Sequence, residues 1–138
     1  MNTEDFVTYE QAIALKKLGF DEYCDYIFTS QGKICTKVIL SFDYTKREGY
    51  VDAPTLSQAQ KWLREKGIHV SVNPYRGYDV DADGKLYNVH LLWGFELMDM
   101  ENVDFMDDAG GNHTSYESAL SAGIEKALEL LTDKLNSK

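Results

Sequence analysis

The sharpest chemical motif in the sequence is a run of alternating aspartates, Asp79, Asp81 and Asp83, followed by Gly84. An EF-hand-like calcium loop has oxygen ligands at its first, third and fifth positions and glycine at its sixth. The twelfth position, normally a bidentate glutamate, is His90 here, and a hard calcium ion gains little from imidazole. The alternative is a plain hairpin turn, because aspartate and glycine also favour turns. Both interpretations are open, and the mismatch at His90 favours the turn.

The two cysteines, Cys24 and Cys35, are the next residues with a chemical role to consider. A structural zinc site would combine them with two of His69, His90 and His113, but zinc-binding cysteines usually occur as close pairs. Paired with a histidine, either thiol would also suit nucleophilic catalysis. The sequence contains no nucleophile elbow, glycine-rich phosphate loop or HExxH motif. The favoured interpretation is two free structural thiols, with no metal and no other cofactor.

Tyrosine is abundant, with nine residues in a chain of 138. It is a common anchor of protein–protein interfaces, because its ring buries a large apolar area while its hydroxyl keeps a hydrogen bond. Four tyrosines fall in predicted loops or strand ends and form the candidate interface: Tyr44, Tyr50, Tyr75 and Tyr78. The alternative is that these rings pack on the faces of the sheet.

Three helices are predicted among the elements that position these residues, because a capping-box sequence stands at the start of each. In this motif a Thr side chain and a Gln or Glu side chain three residues later bond each other's backbone N–H groups. The spacing occurs at Thr8–Gln11, Thr55–Gln58 and Thr114–Glu117, and apolar residues follow at helical intervals. The predicted helices cover about residues 8–19, 55–66 and 115–135.

A central β-hairpin is predicted over about residues 68–97, because apolar and polar residues alternate on both sides of a turn at Gly84. A further hairpin over about residues 26–44 is expected to turn at Gly32, and residues 98–112 are expected to form a loop. The sequence therefore predicts one α+β domain over the whole chain, in which a small antiparallel sheet packs against three helices. The residues expected to face the third helix are Val70, Val72, Val89, Leu91 and Trp93.

The net charge and hydropathy of the chain limit the classes of partner and the compartment that we expect. The formal net charge is −9, and an acidic surface disfavours direct contact with nucleic-acid phosphates. The first residues lack the apolar segment of a secretory signal, and the longest mostly apolar stretch, residues 89–100, is too short to span a bilayer. Two unpaired thiols suit a reducing compartment. We therefore expect a cytoplasmic protein with neither a nucleic acid nor a membrane as its partner.

Two segments of the chain resemble a known group of proteins. These are Ala53–Arg64 (APTLSQAQKWLR) and Tyr116–Leu128 (YESALSAGIEKAL). They are similar to small uncharacterised proteins that recur in Bacteroides-type gut bacteria and in their phages and prophages. The opening Glu10–Ala12 and Leu18–Asp21 are similar too, so the resemblance covers the three helices and the strand after the second. It implies a phage or mobile-element origin and an accessory role, and it supplies no activity or site residues.

Two functional hypotheses follow from these observations. The first is a small non-enzymatic module that binds a host or phage protein, and it is favoured by the missing catalytic motifs, the tyrosines and the resemblance. The second is a small enzyme or metal-dependent domain that uses the Asp79–Asp83 loop or a cysteine. A concave pocket with convergent polar groups would favour the second hypothesis. A flat apolar patch rimmed by tyrosines would favour the first.

Overall fold

The computed structural model describes residues 3–39, 43–44, 47–101, 104–107 and 111–137. Within them lie the helices α1 (Tyr9–Lys17), α2 (Leu56–Glu65) and α3 (Tyr116–Asn136). The strands are β1 (Tyr26–Phe28), β2 (Ile34–Thr36), β3 (Val51–Asp52), β4 (Ile68–Val80), β5 (Leu86–Asp99) and β6 (Asp104–Asp107). They form two antiparallel sheets with the orders β2-β1-β3 and β4-β5-β6. The predicted α+β class is confirmed.

Capping boxes begin α1 and α2, as predicted. Thr8 Oγ1 accepts the Gln11 N–H at 3.1 Å, and Gln11 Oε1 accepts the Thr8 N–H at 3.0 Å. Thr55 and Gln58 repeat both bonds at 3.1 and 2.9 Å. These reciprocal bonds satisfy backbone N–H groups that have no partner inside a helix.

The cap of α3 differs from the predicted one by one residue. Ser115, rather than Thr114, is in the extended conformation that an N-cap requires, and its Oγ accepts the Ser118 N–H at 3.0 Å. Glu117 therefore does not stand at the third helical position, where it would complete a capping box. The predicted Thr114–Glu117 box is wrong, although the predicted helix is confirmed.

The central hairpin is confirmed and is longer than predicted. The Asp81 N–H donates to the Lys85 carbonyl at 3.0 Å across the turn, and Gly84 has a φ of 81°. That left-handed conformation is rarely adopted by a residue with a Cβ atom, which explains the glycine. The predicted loop over residues 98–112 is wrong in part, because β6 pairs with the end of β5. Backbone groups on the edge of β5 need partners, and this tertiary pairing outweighs the low strand propensity of aspartate.

The further hairpin is confirmed in a shorter form. Strand β1 pairs with β2, and the turn between them contains Gly32. The chain leaves the sheet at Lys37–Ile39, a single 3₁₀ turn, where the sequence suggested more strand. There the Lys37 N–H donates to the Asp25 carbonyl, and Lys37 Nζ lies 3.0 Å from Asp52 of β3. Residues 40–42 of the predicted hairpin lie outside the described residues.

Helix α3 covers the sheet with an apolar stripe. Its buried residues are Ala119, Leu120, Gly123, Ile124, Ala127 and Leu128. A Cβ atom at Gly123 would lie 2.8 Å from Val70 Cγ1 and 3.1 Å from Phe95 Cβ, so the missing side chain permits close contact between helix and sheet. The cost of a glycine inside a helix, about 1 kcal/mol relative to alanine, is offset by this packing.

The predicted helix-facing side of the hairpin is only partly correct. Val70 is buried, Val72 packs against the core, and Trp93 makes an edge-to-face contact with Tyr116, the first residue of α3. Val89 and Leu91 were predicted to face α3 as well, but each is 58% exposed.

The length of the hairpin explains this error. Strand β4 has 13 residues, which at about 3.3 Å per residue makes it roughly 43 Å long. Helix α3 begins beside Trp93 and covers the sheet only from there to the far end of β5. Every residue from Tyr78 to Leu91 is exposed. We call residues 76–91 the hairpin arm, because they continue the sheet where no described helix covers it.

Candidate functional site

One face of the hairpin arm is apolar and exposed. Side chains alternate along β4, so Tyr78 and Val80 point to the same side as Val70, which packs in the core. Residues directly opposite each other in an antiparallel pair share a face. The pairs Val80–Leu86 and Arg76–Leu91 therefore place two leucines on that side as well. We call these four side chains, each between 48% and 58% exposed, the exposed strip: Tyr78, Val80, Leu86 and Leu91.

A β-bulge in β5 sets which side chains share that face. Asn88 and Val89 together lie opposite Tyr78, between the pairs Gly77–His90 and Asp79–Tyr87. Asn88 has a φ of 52°, and its amide donates to Asp79 Oδ2 at 3.0 Å. The extra residue shifts the alternation of side chains by one. Tyr87 consequently lies on the face opposite to the exposed strip.

Each edge of the hairpin, within the arm or directly beside it, has a feature that opposes the addition of another strand. On β4, which has β5 as its only strand neighbour among the described residues, Pro74 lacks a backbone N–H. On β5 the bulge at Asn88 interrupts the regular ladder, and bulges are a recognised way of protecting an edge. The exposed strip is therefore better suited than either edge to bind a partner.

Two of the three aspartate side chains of the calcium-like motif form hydrogen bonds within the hairpin. Asp81 Oδ1 accepts the N–H groups of Asp83 and Lys85, each at 2.9 Å. Asp79 accepts the amide of Asn88. No group of three or more His, Cys, Asp or Glu side chains suited to a metal ion occurs among the residues whose placement is described. The motif thus has the geometry of an aspartate-stabilised hairpin turn.

We predict that calcium binds this loop no more tightly than the millimolar range, the range of weak extracellular sites. The carboxylate of Asp81 would have to give up its turn bonds, and His90 stands where a glutamate would complete the ligand set. Isothermal titration of the purified protein with calcium checks this. A micromolar site that is abolished by Asp81→Asn would contradict the prediction.

The four tyrosines of the candidate interface lie in two places. Tyr44 and Tyr50 line a cavity of about 180 Å³ beside Phe20 and Asp52. Tyr75 and Tyr78 both belong to β4, but their odd spacing places them on opposite faces of the hairpin. The structure therefore joins Tyr44 with Tyr50, and it places Tyr78 in the exposed strip.

The polar groups beside Tyr44 form a closed network. The Tyr44 hydroxyl donates to Asp52 Oδ1 at 2.7 Å, and Lys37 Nζ lies 3.0 Å from the same oxygen and over the rings of Tyr23 and Tyr44. Burial raises the pKa of Tyr44 above its ordinary value. Burial opposes the charge on Lys37, but hydrogen bonds to Tyr44 and Asp52 outweigh it and raise the pKa of the ammonium. At neutral pH the Tyr44 hydroxyl and the Lys37 ammonium therefore both keep their protons, so neither acts as a base. The network holds Lys37 against β3.

The cysteines give little support to nucleophilic catalysis. Cys24 is buried, and its thiol lies 3.6 Å from the Glu22 carbonyl. Burial, followed by the negative charge of Asp52, raises the pKa of Cys24 to about 12. Since the thiolate is the reactive form, this cysteine is a poor nucleophile at neutral pH. Cys35 is half-buried and unpaired.

A concave groove lies between α1 and α3, with a volume of about 380 Å³. Its polar lining is mainly acidic, from Glu10, Glu125, Glu129 and Asp133. At its base the buried Gln11 Nε2 donates to the Ser121 carbonyl and to Glu125 Oε2, both at 3.0 Å. Sequence reasoning assigned Gln11 to the cap of α1 only and missed this bond between helices. These bonds tie the two helices together and engage the Glu125 carboxylate within the fold.

None of the helices in the described part of the chain is long and apolar enough to cross a membrane. Comparisons of the chain with protein-family models, with curated proteins and with solved structures gave no match in any of the three.

Proposed function

We propose that this protein is a small protein-binding module and that the hairpin arm is its binding element. The observation that carries the proposal is the exposed strip, four apolar side chains that stay about half exposed on one face of the arm. Contiguous apolar patches on a soluble domain typically mark interaction sites. A two-stranded hairpin is also only marginally stable in water by itself, so a partner that covers the arm would stabilise it.

The strip has the residue types of an interface rather than of a reaction site. Tyr78 supplies an aromatic anchor, and Val80, Leu86 and Leu91 supply apolar area around it. Several side chains elsewhere that could carry out chemistry are held within the fold. Asp81 holds the turn, Tyr44 and Lys37 bind Asp52, and Cys24 is buried. An enzymatic role therefore has less support than a binding role.

The proposal includes an accessory role in a phage or mobile element, acting on a host or phage protein. That part is supported by the resemblance of residues 53–64 and 116–128 to small proteins of Bacteroides-type bacteria and their phages. The arm itself lies outside these two segments. The binding role and the biological setting therefore rest on separate observations and are tested separately.

Site-specific photocrosslinking tests the binding role. A photoreactive phenylalanine analogue replaces Tyr78 in the exposed strip, and in a matched control it replaces Tyr23, a 73% exposed tyrosine on the body of the domain. After irradiation of cells that make the protein, we expect covalent protein adducts from position 78 and few from position 23. Equal yields from both positions, or no adducts from position 78, would argue against the arm as the binding element.

A further inference from the structure

We infer that the partner covering the exposed strip is a second copy of this chain, with the two arms packed face to face and antiparallel about a twofold axis. This inference rests on the proposed function and names its partner. The bulge at Asn88 within the arm and Pro74, which lies on β4 just before the arm, both oppose the addition of a strand at an edge of the hairpin, so we place the contact on the face of the arm. A twofold contact uses the same patch on both copies, and one apolar face can therefore satisfy another.

The distribution of charge along the arm favours a second copy in the antiparallel arrangement. Arg76 lies at the base of the arm on the face of the exposed strip, and at the tip Asp81 and Asp83 outnumber Lys85. About six residues of strand, roughly 20 Å, separate the two ends. An antiparallel pair places the cationic base of each arm against the anionic tip of the other, whereas a parallel pair would place like charges together. The arm is thus complementary to itself.

Net charge points to the same contact. The arm carries two basic and three acidic side chains, so it contributes only −1 to the chain's net charge of −9. The remaining −8 lies elsewhere, and two copies that meet along their arms keep most of that charge apart. The exposed strip is thus an apolar surface on a part of the chain where repulsion between copies is weak.

The size of the strip sets the expected strength. A stable interface usually buries about 800 Å² on each partner, and a two-stranded arm about 20 Å long offers less than that. We therefore expect a weak dimer with a dissociation constant on the order of 10 µM or above. The Trp93–Tyr116 pair at the base of the arm extends the apolar surface toward α3.

Sedimentation equilibrium of the full chain over a range of concentrations tests the dimer. We expect the average mass to rise from the monomer value of 15.7 kDa toward twice that value. Replacing Leu86 and Leu91 with serine should weaken association by at least about tenfold. Val38→Ser, at another strongly exposed apolar residue, should leave association unchanged. Circular dichroism checks that all variants are folded. A wild-type chain that stays monomeric, or association that resists the double serine change, would overturn the inference.

A charge exchange tests the antiparallel orientation. Arg76→Glu and Asp83→Lys should each weaken the dimer, and the two together should restore most of the lost association. Asp83 is preferred to Asp81, whose carboxylate holds the turn. Two single variants that weaken the dimer without recovery in the double variant would overturn the antiparallel arrangement.

Crosslinking at position 78 separates this inference from the proposed function. An adduct of two chains supports the second copy as the partner and the arm as the binding element. An adduct with a different protein alone overturns the second copy as partner and leaves the arm as a binding element. The absence of any adduct contradicts both.

Discussion

Replacing Ile124 with alanine is expected to lower the free energy of unfolding by about 2–5 kcal/mol. Ile124 is fully buried on the stripe of α3 that packs against the sheet, beside the close contact of Gly123 with Val70 and Phe95. The loss combines the transfer of the removed methyl groups with the cavity left behind, since helix and sheet are held too close to collapse freely. The free energy of unfolding of a whole domain is only about 5–15 kcal/mol, so one such change removes a large fraction of it. Urea unfolding of both proteins at neutral pH measures the difference.

The matched control is Lys126→Ala, two residues along the same helix on its exposed side. Lys126 makes a long contact of 3.4 Å with Glu129, and such surface pairs contribute little. Its removal should change the free energy of unfolding by no more than about 0.5 kcal/mol. Glu125 would be a poorer control, because its carboxylate accepts a bond from the buried Gln11. If Ile124→Ala were as harmless as Lys126→Ala, the stripe would not be the core face of α3.

The features that the sequence predicted well are those fixed by local chemistry. The boxes Thr8–Gln11 and Thr55–Gln58 bond within four residues, and Gly84 is needed by the turn that contains it. The alternation over the central hairpin likewise identified two strands. Each of these signals depends only on neighbours in the chain, so it is visible without knowledge of the fold.

The errors share a different cause. Alternation indicates that Val89 and Leu91 lie on one side of a strand, but it does not indicate where the helix above that side begins. Strand β6 was missed because its residues gain a strand conformation only from pairing with β5. Asn88 gives no warning of a bulge, which is more readily recognised at a glycine. These features depend on which distant segments meet.

In the candidate site, too, residue types were predictable from the sequence, whereas their positions depended on the fold. Four tyrosines were grouped by their type and predicted exposure, but Tyr75 and Tyr78 lie on opposite faces and Tyr44 and Tyr50 line a separate cavity. The exposed strip was not predicted, since its leucine and valine residues have the pattern of a core face. The strip is exposed because the hairpin extends beyond helix α3. That difference in extent is known only when both elements have been placed in the fold.

A buried ion pair supplies the second large effect. Lys134 Nζ of α3 lies 2.7 Å from Asp99 Oδ1 at the end of β5, and Asp99 is only 2% exposed. The same carboxylate oxygen accepts the Glu101 N–H at 3.1 Å. The hydrogen bond to Asp99 raises the pKa of Lys134 above its ordinary value of 10.5, although burial opposes it. This pair ties the last turn of the helix to the sheet.

Lys134→Met is expected to destabilise the domain by about 2–3 kcal/mol at neutral pH, because it removes the cation from a buried carboxylate while keeping the apolar stem of the side chain. Adding Asp99→Asn to this variant should recover at least half of the loss, since burying a neutral amide costs less than burying a carboxylate that has lost the Lys134 ammonium. Urea unfolding of the wild type, both single variants and the double variant forms a double-mutant cycle for the pair. Additive single effects would show that the ion pair contributes no coupling energy.

The stability difference between wild type and Lys134→Met should also depend on pH in one direction. Because the folded state raises the pKa of Lys134, its contribution is complete below the unfolded value of 10.5 and is lost as the pH rises through the higher folded value. Other lysines and tyrosines titrate in that range too, but they are common to both proteins, so the difference between the two isolates Lys134. We expect the gap to be steady from neutral pH to about 10 and to narrow above 10.5. A gap that widened above 10.5 would mean that the ammonium of Lys134 opposes the fold.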